Sequence, residues 1–224
     1  TYFDSIHVQA EKHAKRICER AGKYLSAHSE EAAKELETLY TQTSDYHEKK
    51  CDAYEGVMAV HAHILALWNV NEHFNLNLAF AYSHLAEECY QKFLISEMPA
   101  SEQQTFRMYL RNVWLLCAYV DYCNDNLYSS QEWLQKLHAD QASATDIALT
   151  ASVLFRLTME EGVDGFKNAF LLFQEMDRRF TKTPLHAFEE DILRTAYGFY
   201  ELYYTHGVYN EQYPIPYNPG LAVQ

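Results

Sequence analysis

Apolar residues recur every three or four positions along most of the chain, which is the spacing that places them on one face of an α-helix. No stretch of five or more residues combines strict alternation of apolar and polar positions with β-branched residues, so we expect no sheet. The fold class is therefore all-α, with about eight or nine helices that pair antiparallel in a bundle or a short α-solenoid. The stripes predict helices over about residues 4–28, from Ser29, over 56–69 and 76–96, from Ser101, from Ser129, from Thr145 to Gly162, over 165–180, and from Thr183 to Tyr204.

Residues that start and end helices mark several of these boundaries. Ser101 and Ser129 are each followed three residues later by Gln or Glu, which is the capping-box pattern of a helix start. Thr183 before Pro184 matches an N-cap followed by proline in the first turn. Gly162 is expected to end the helix before it, because glycine readily adopts the left-handed conformation found there.

Prolines are scarce until late in the chain, and their positions suggest how it is divided. The first proline is Pro99, so residues 1–207 are predicted to form a single helical domain with a possible subdivision near 97–101. Residues 208–224 hold three of the five prolines together with three tyrosines, a composition that favours an extended strap. Such a strap packs over the helices before it or, alternatively, serves as a recognition peptide.

The charge balance of the chain restricts its partners. With 31 acidic and 18 basic residues the formal net charge is −13, and such a surface repels nucleic acid and anionic lipid headgroups. Hydrophobic residues make up 48% of the chain and aromatic residues 15%, which separates it from disordered acidic chains. We therefore expect a packed acidic protein that binds neither nucleic acid nor membrane, and a basic protein is the expected partner.

Cysteine usage and the lack of long apolar runs favour the cytoplasm. The cysteines are odd in number and include no CxxC pair, which indicates reduced thiols: Cys18, Cys51, Cys89, Cys117 and Cys123. No apolar run approaches the roughly 18 residues of a membrane span, and we see no signal-peptide pattern. The expectation is a cytoplasmic protein without a membrane span.

The stretch HAHILALWNVNEHF contains three histidines and invites comparison with a metal site. In a helix His61 and His63 point about 200° apart, and His73 lies about 18 Å along the axis from His61, so the three do not converge. No histidine follows a glutamate by three positions, as di-metal helical bundles require. Glycine-rich phosphate loops and the GxSxG and HExxH motifs are also absent from the sequence. The sequence therefore predicts no metal, no cofactor and no catalytic residue.

The segment ATDIALTASVLFRLTMEEGVDGFKNAFLLFQEM, residues 144–176, resembles a tetratricopeptide-type helical hairpin. Gly162 or Gly165 stands at the turn, and three residues have the small, aromatic and apolar spacing of the second helix: Ala169, Phe173 and Met176. The first helix lacks the usual tryptophan, leucine–glycine and tyrosine positions, and no recurrence at this period is found elsewhere in the sequence. The resemblance implies a pair of packed helices and a concave peptide-binding surface.

Two functions fit these features. The first is a non-catalytic acidic module, such as an adaptor, chaperone or immunity-type inhibitor, that captures a basic partner protein through opposite charge. Its predicted contact residues are the acids Asp121, Asp125, Glu160, Glu161, Asp164, Glu189, Glu190 and Asp191, with Tyr119, Tyr122, Tyr197, Tyr200 and Tyr203 as anchors. Because the chain has 18 tyrosines, many of them must lie in the core instead. The alternative function is a helical enzyme or small-ligand binder whose pocket uses nearby carboxylates and a histidine: His61, His84 or His186.

Overall fold

The computed structural model describes residues 52–71, 74–95, 100–137, 142–183 and 185–205. This part of the chain contains seven helices and no strand, which confirms the predicted all-α class for these residues. The helices are α1 (Asp52–Asn71), α2 (Leu76–Ile95), α3 (Ala100–Cys123), α4 (Leu127–Leu137), α5 (Ala144–Glu161), α6 (Phe166–Arg179) and α7 (Ala187–Thr205). The two helices predicted before α1 and the predicted strap over 208–224 lie outside the described residues.

Contacts along the chain divide it into two compact units, Thr1–Leu116 and Cys117–Gln224. The division falls within α3, whereas the sequence suggested a subdivision near 97–101. Leu116 and Cys117 are both buried, so the apolar pattern continues through this position. The sequence therefore contains no break that would mark it.

In the first unit, α1 and α2 pack against each other through side chains at helical spacing. The buried positions include Val60, Ile64 and Leu67 of α1 and Ala79, Ala86 and Tyr90 of α2. His63 is buried with them, and its Nδ1 atom lies 3.0 Å from the Tyr90 hydroxyl oxygen. This hydrogen bond lowers the free-energy cost of burying His63, since an unsatisfied polar group in the core costs about 1–3 kcal/mol.

Two asparagines, Asn69 and Asn75, form hydrogen bonds where α1 ends and α2 begins. The N–H of Asn75 donates to the Asn69 carbonyl at 2.8 Å. The Asn75 Oδ1 atom accepts the N–H of Leu78 at 3.1 Å and so satisfies a donor in the first turn of α2. The break that the sequence predicts between helices over 56–69 and 76–96 is confirmed.

The second unit is built around α5, which contacts α4, α6 and α7. Eleven of the 18 residues of α5 are buried, which is the pattern of a helix enclosed on more than one side. The Phe155 ring packs near the rings of Phe166 and Phe173 on α6 and stacks on Phe199 of α7. Such a helix depends on its neighbours, because its apolar side chains would otherwise face water.

Both ends of α5 are capped. Ser143 Oγ accepts the N–H of Asp146 at 3.2 Å, and the Asp146 carboxylate accepts the N–H of Ser143 at 3.0 Å, which together form a capping box. The sequence suggested Thr145 as the opening residue, and the cap shows that the helix starts before it. At the other end Gly162 has a φ of 70°, and its N–H donates to the Leu157 carbonyl. The predicted helix end at Gly162 is confirmed.

Three other predicted helix starts are wrong. Ser101, predicted to cap a helix, lies inside α3, which begins at Ala100. α4 begins at Leu127 and not at Ser129. α7 begins after Thr183, at the point where the Glu189 carboxylate accepts the N–H of His186 at 2.9 Å. A capping pattern in a sequence indicates only a candidate start, and the pair that completes its hydrogen bonds decides where the helix begins.

Gly165 and Gly198 provide a matched test of the packing around α5. A Cβ atom at Gly165 would lie 2.7 Å from Leu154 Cδ1 and 2.9 Å from Thr158 Oγ1. Gly165→Ala should therefore lower the free energy of unfolding, measured by urea denaturation, by about 1–3 kcal/mol. A Cβ atom at Gly198, on the exposed side of α7, meets nothing within 4 Å, so Gly198→Ala should raise it by about 0.5–1 kcal/mol. Equal losses in both variants would contradict the close approach of α6 to α5.

Candidate functional site

Arg156 connects the C-terminal half of α5 to the turn between α3 and α4. Its Nη2 atom lies 2.7 Å from Asp125 Oδ1, and its Nε atom lies 2.9 Å from Glu160 Oε1. Its Nη1 group donates to the Tyr122 carbonyl at 3.4 Å, and the guanidinium lies 4.9 Å from the centre of the Tyr122 ring. Burial by itself lowers the pKa of Arg156, but the hydrogen bonds to Glu160 and Asp125 outweigh it and raise that pKa above its ordinary value. Arg156 is therefore a permanent cation that orients two surface carboxylates.

Four of the predicted contact acids lie together at this end of α5, and we call them the acidic end: Asp125, Glu160, Glu161 and Asp164. All four are exposed. Asp125 stands in the α3–α4 turn with a φ of 62°, a left-handed conformation that aspartate tolerates better than most residues. The basic residues of the same stretch are Arg156 and Lys167, so four carboxylates stand against two cations. The structure thus brings together a net negative surface from two separate parts of the chain.

Asp121 does not belong to this surface. Its side chain is 2% exposed, and its Oδ2 atom accepts the indole N–H of Trp133 at 2.9 Å. The hydrogen bond compensates part of the cost of burying a carboxylate. Asp121 therefore joins α3 to α4 and leaves no surface for a partner.

Three of the predicted tyrosine anchors are core residues. The Tyr119 hydroxyl donates to Asp191 Oδ2 at 2.6 Å, and the Tyr197 hydroxyl donates to Asp177 Oδ1 at 3.1 Å. Burial is the main cause that raises the pKa of both phenols well above the ordinary value, and the neighbouring carboxylates raise it further. Tyr200 packs against two rings of α6: Phe170 and Phe173. The prediction that these three tyrosines anchor a partner on an exposed surface is therefore wrong, because their rings lie in the interior. The side chain of Tyr203 lies outside the described residues.

The burial of Tyr197 and Tyr200 has a signal in the sequence. They continue the spacing of Leu193 and Ala196, and all four residues are buried. A tyrosine that extends an apolar stripe is therefore better assigned to the core than to an interface. Tyr119 has a similar signal, since it lies in the unbroken apolar run Leu115–Val120, and the structure buries it with that run.

The three successive acids near the start of α7, Glu189, Glu190 and Asp191, have separate roles. The Glu189 carboxylate accepts the N–H of His186, and Asp191 accepts the Tyr119 hydroxyl. Glu190 is exposed. The predicted contact residues of α7 therefore include one acid on the surface and two whose carboxylates take part in capping and in core hydrogen bonds.

Tyr122 and Cys123 lie beside Arg156 and are both half-buried. Burial raises the pKa of Tyr122 to about 12, against the opposing effect of Arg156. Burial also raises the pKa of the Cys123 thiol to about 11, although its hydrogen bond with Tyr119 lowers it. A nucleophilic cysteine needs a lowered pKa, so this environment does not activate Cys123.

The histidines of the described residues take part in separate contacts. His63 is paired with Tyr90, as described above. His84 in the first unit lies with its Nδ1 atom 2.8 Å from the Phe80 carbonyl oxygen, and His186 in the second stacks on Phe188. Within the described part of the chain, no group of three or more His, Cys, Asp and Glu side chains is arranged to hold a metal ion. The side chain of His61 and all of His73 lie outside the described residues.

For the described residues, the fold and this site define an all-helical structure with a concentration of surface carboxylates at one end of an enclosed helix. Comparisons with known protein families, with curated proteins and with solved structures found no match to this chain. None of the helices in the described ranges is both long and apolar enough to cross a bilayer. A function must therefore be inferred from the charges and contacts of the molecule itself.

The raised pKa of Cys123 predicts slow alkylation with a characteristic pH dependence. Because only the thiolate reacts, the rate should rise about tenfold per unit between about pH 8 and 10, whereas an unfolded thiol levels off above about 8.5. The rate is measured by iodoacetamide labelling and mass spectrometry of the peptide that contains Cys123, with the protein in urea as the control. A folded-state rate that levels off near that of the control would contradict the effect of burial.

Proposed function

We propose that the chain is a non-catalytic, acidic helical module that captures a basic partner protein, as an adaptor, a chaperone or an inhibitor of the immunity type does. The observation that carries this proposal is the acidic end, where exposed carboxylates outnumber the cations around them. Complementary charge accelerates association and selects partners, and its effect is largest where like charges are concentrated.

Helix stability explains only part of the acidic end: Glu160 forms an i,i+4 ion pair with Arg156, whereas Glu161 and Asp164 form no ion pair in the described structure. Glu160 and Glu161 lie in the last turn, which has no basic residue and where the helix dipole disfavours a negative charge by about 0.3–1 kcal/mol. In α7, by contrast, Glu189 and Glu190 lie in the first turn, where the dipole favours them. A departure from a local preference is most often found at a functional site. Binding therefore accounts for the acidic end better than folding does.

The ion pairs of Arg156 support the same role. They hold Asp125 and Glu160 in one orientation, so part of the side-chain entropy lost on binding is already lost in the free protein. Glu161 and Asp164 form no ion pair in the described structure, so their charge is available to a cationic partner. Met159, 53% exposed in the same turn, adds an adaptable apolar contact.

The proposal also covers the number of helices, the tetratricopeptide-like hairpin, the C-terminal strap and the cellular compartment. It includes eight or nine helices in a bundle or short α-solenoid, with residues 144–176 as a tetratricopeptide-like hairpin and residues 208–224 as a strap. It also places the protein in the cytoplasm, in accordance with the odd number of cysteines in the sequence and the lack of a CxxC pair among them. Nucleic acid and membranes are not among the proposed partners, because of the net charge of −13.

Charge reversal at the acidic end tests the proposal. In affinity capture from the source organism, Glu161→Lys/Asp164→Lys should recover about tenfold less of a basic partner than the unaltered protein does. These two positions are chosen because they leave the Arg156 ion pairs intact. The partner should also be released between about 0.1 M and 1 M salt, since the Debye length then falls from about 10 to 3 Å.

Glu132→Lys is the control for this experiment. Glu132 is an exposed acid on α4, so the change alters the net charge equally per substitution but away from the acidic end. The matched comparison is with Glu161→Lys alone, which changes the net charge as much as the control does; equal recovery by these two single variants would show that only net charge matters. A partner that binds the double variant as strongly as the unaltered protein would exclude the acidic end as the contact surface.

A further inference from the structure

A groove of about 280 Å³ lies in the second unit between the start of α5, the end of α6 and the start of α7. Its walls include Ser143, Ala144 and Thr145 on one side and Leu185 and Glu189 on another, with Arg179 from the end of α6. This volume is at the lower limit of small-molecule sites. None of the residues of the acidic end lines the groove, so what it binds is a separate question from the proposed function.

Thr145 is a buried wall residue of the groove, and its hydroxyl has no hydrogen-bond partner among the residues that the structure describes. The residue is 6% exposed, and the described structure gives its hydroxyl no hydrogen bond. The other hydroxyls of α5 each donate to the carbonyl four residues before them: Thr150 to Asp146, Ser152 to Ala148 and Thr158 to Leu154. Thr145 is the second residue of α5, so no residue of this helix lies four positions before it. An unsatisfied buried hydroxyl is costly, so a partner from the groove would stabilise it.

Other donors occur at the same place. The N–H groups of Ala144 and Thr145 belong to the first turn, and the Ser143 cap accepts only the N–H of Asp146. Arg179 is held at the groove by bonds from Nε to Glu175 and from Nη1 to the Ala142 carbonyl, and in the described structure its Nη2 group has no partner. Unpaired N–H groups at a helix N-terminus and a guanidinium together favour an oxyanion.

The remaining walls limit what can be attached to that oxyanion. Phe180, Leu185 and Leu193 supply apolar surface. The Glu189 carboxylate on α7 is a wall residue that accepts the His186 N–H, and its negative charge disfavours a polyanion. We propose that the groove binds a small molecule with one carboxylate or phosphate group on a short apolar frame, with the oxyanion at Thr145 and the apolar part against α7.

The test uses three probes on the full chain: isovalerate, its neutral analogue isovaleramide, and inorganic phosphate. We expect isovalerate to shift the amide NMR signals of Ala144 and Thr145 with a dissociation constant of about 1 mM. Isovaleramide should bind at least tenfold more weakly, because it lacks the charge. A larger response to phosphate than to isovalerate would identify a phosphorylated ligand, and the reverse would identify a carboxylate. No shift of these two amides up to about 10 mM of either anion would overturn the proposal.

Thr145→Val and Thr158→Val make a matched pair for the same titration. Both remove a buried hydroxyl from α5, but Thr158 donates to Leu154 and Thr145 has no partner in the described structure. Thr145→Val should keep or raise the thermal midpoint of unfolding and weaken isovalerate binding about tenfold or more, while Thr158→Val should lower the midpoint and bind normally. Normal binding by Thr145→Val, or equal binding of isovalerate and isovaleramide, would show that the groove does not recognise an oxyanion through Thr145.

Discussion

The enclosure of α5 by its neighbours is the constraint on which the described second unit depends. Its apolar side chains, Phe155 above all, must be covered from more than one side, which requires α4, α6 and α7 to pack around it. The hydroxyls of Thr150, Ser152 and Thr158 each donate to a carbonyl of the same helix. In the described structure these hydroxyls therefore need no partner from outside α5. Polar chemistry is therefore confined to the two ends of α5.

The two ends of α5 have opposite electrostatic character. The start presents N–H donors and lies beside Arg179, whereas the end presents Glu160 and Glu161 against the direction that the helix dipole prefers. A rigid, enclosed helix fixes the groups at both ends, and precise sites are best built on such elements. In our two proposals the groove and the acidic end therefore take different ligands, one small and anionic and the other large and basic.

Buried tyrosines determine where several of the acids go. A phenol in the core needs an acceptor, and Asp191 and Asp177 supply it to Tyr119 and Tyr197. Asp121 serves the Trp133 indole in the same way. Acids that would otherwise add to the surface charge are used inside the unit, so the net charge of −13 does not by itself show where the exposed charge lies. The acidic end stands out because its carboxylates are both exposed and adjacent.

The spacing of apolar residues in the sequence was sufficient to predict the all-α class and the helices over 76–96 and 165–180, because periodicity is a local property. Gly162 was sufficient to predict the end of a helix, because the left-handed preference of glycine is local as well. The role of each polar side chain was decided only by the tertiary structure. Thr183 and Ser129 match helix starts in the sequence, but Glu189 and the α3–α4 turn place those starts elsewhere. Asp125 and Glu160 are far apart in the chain and meet only through Arg156. Thr158 bonds a carbonyl of its own helix and Thr145 stands at the helix start, which is a local difference; the walls from α6 and α7 that bury Thr145 beside the groove are supplied only by long-range packing.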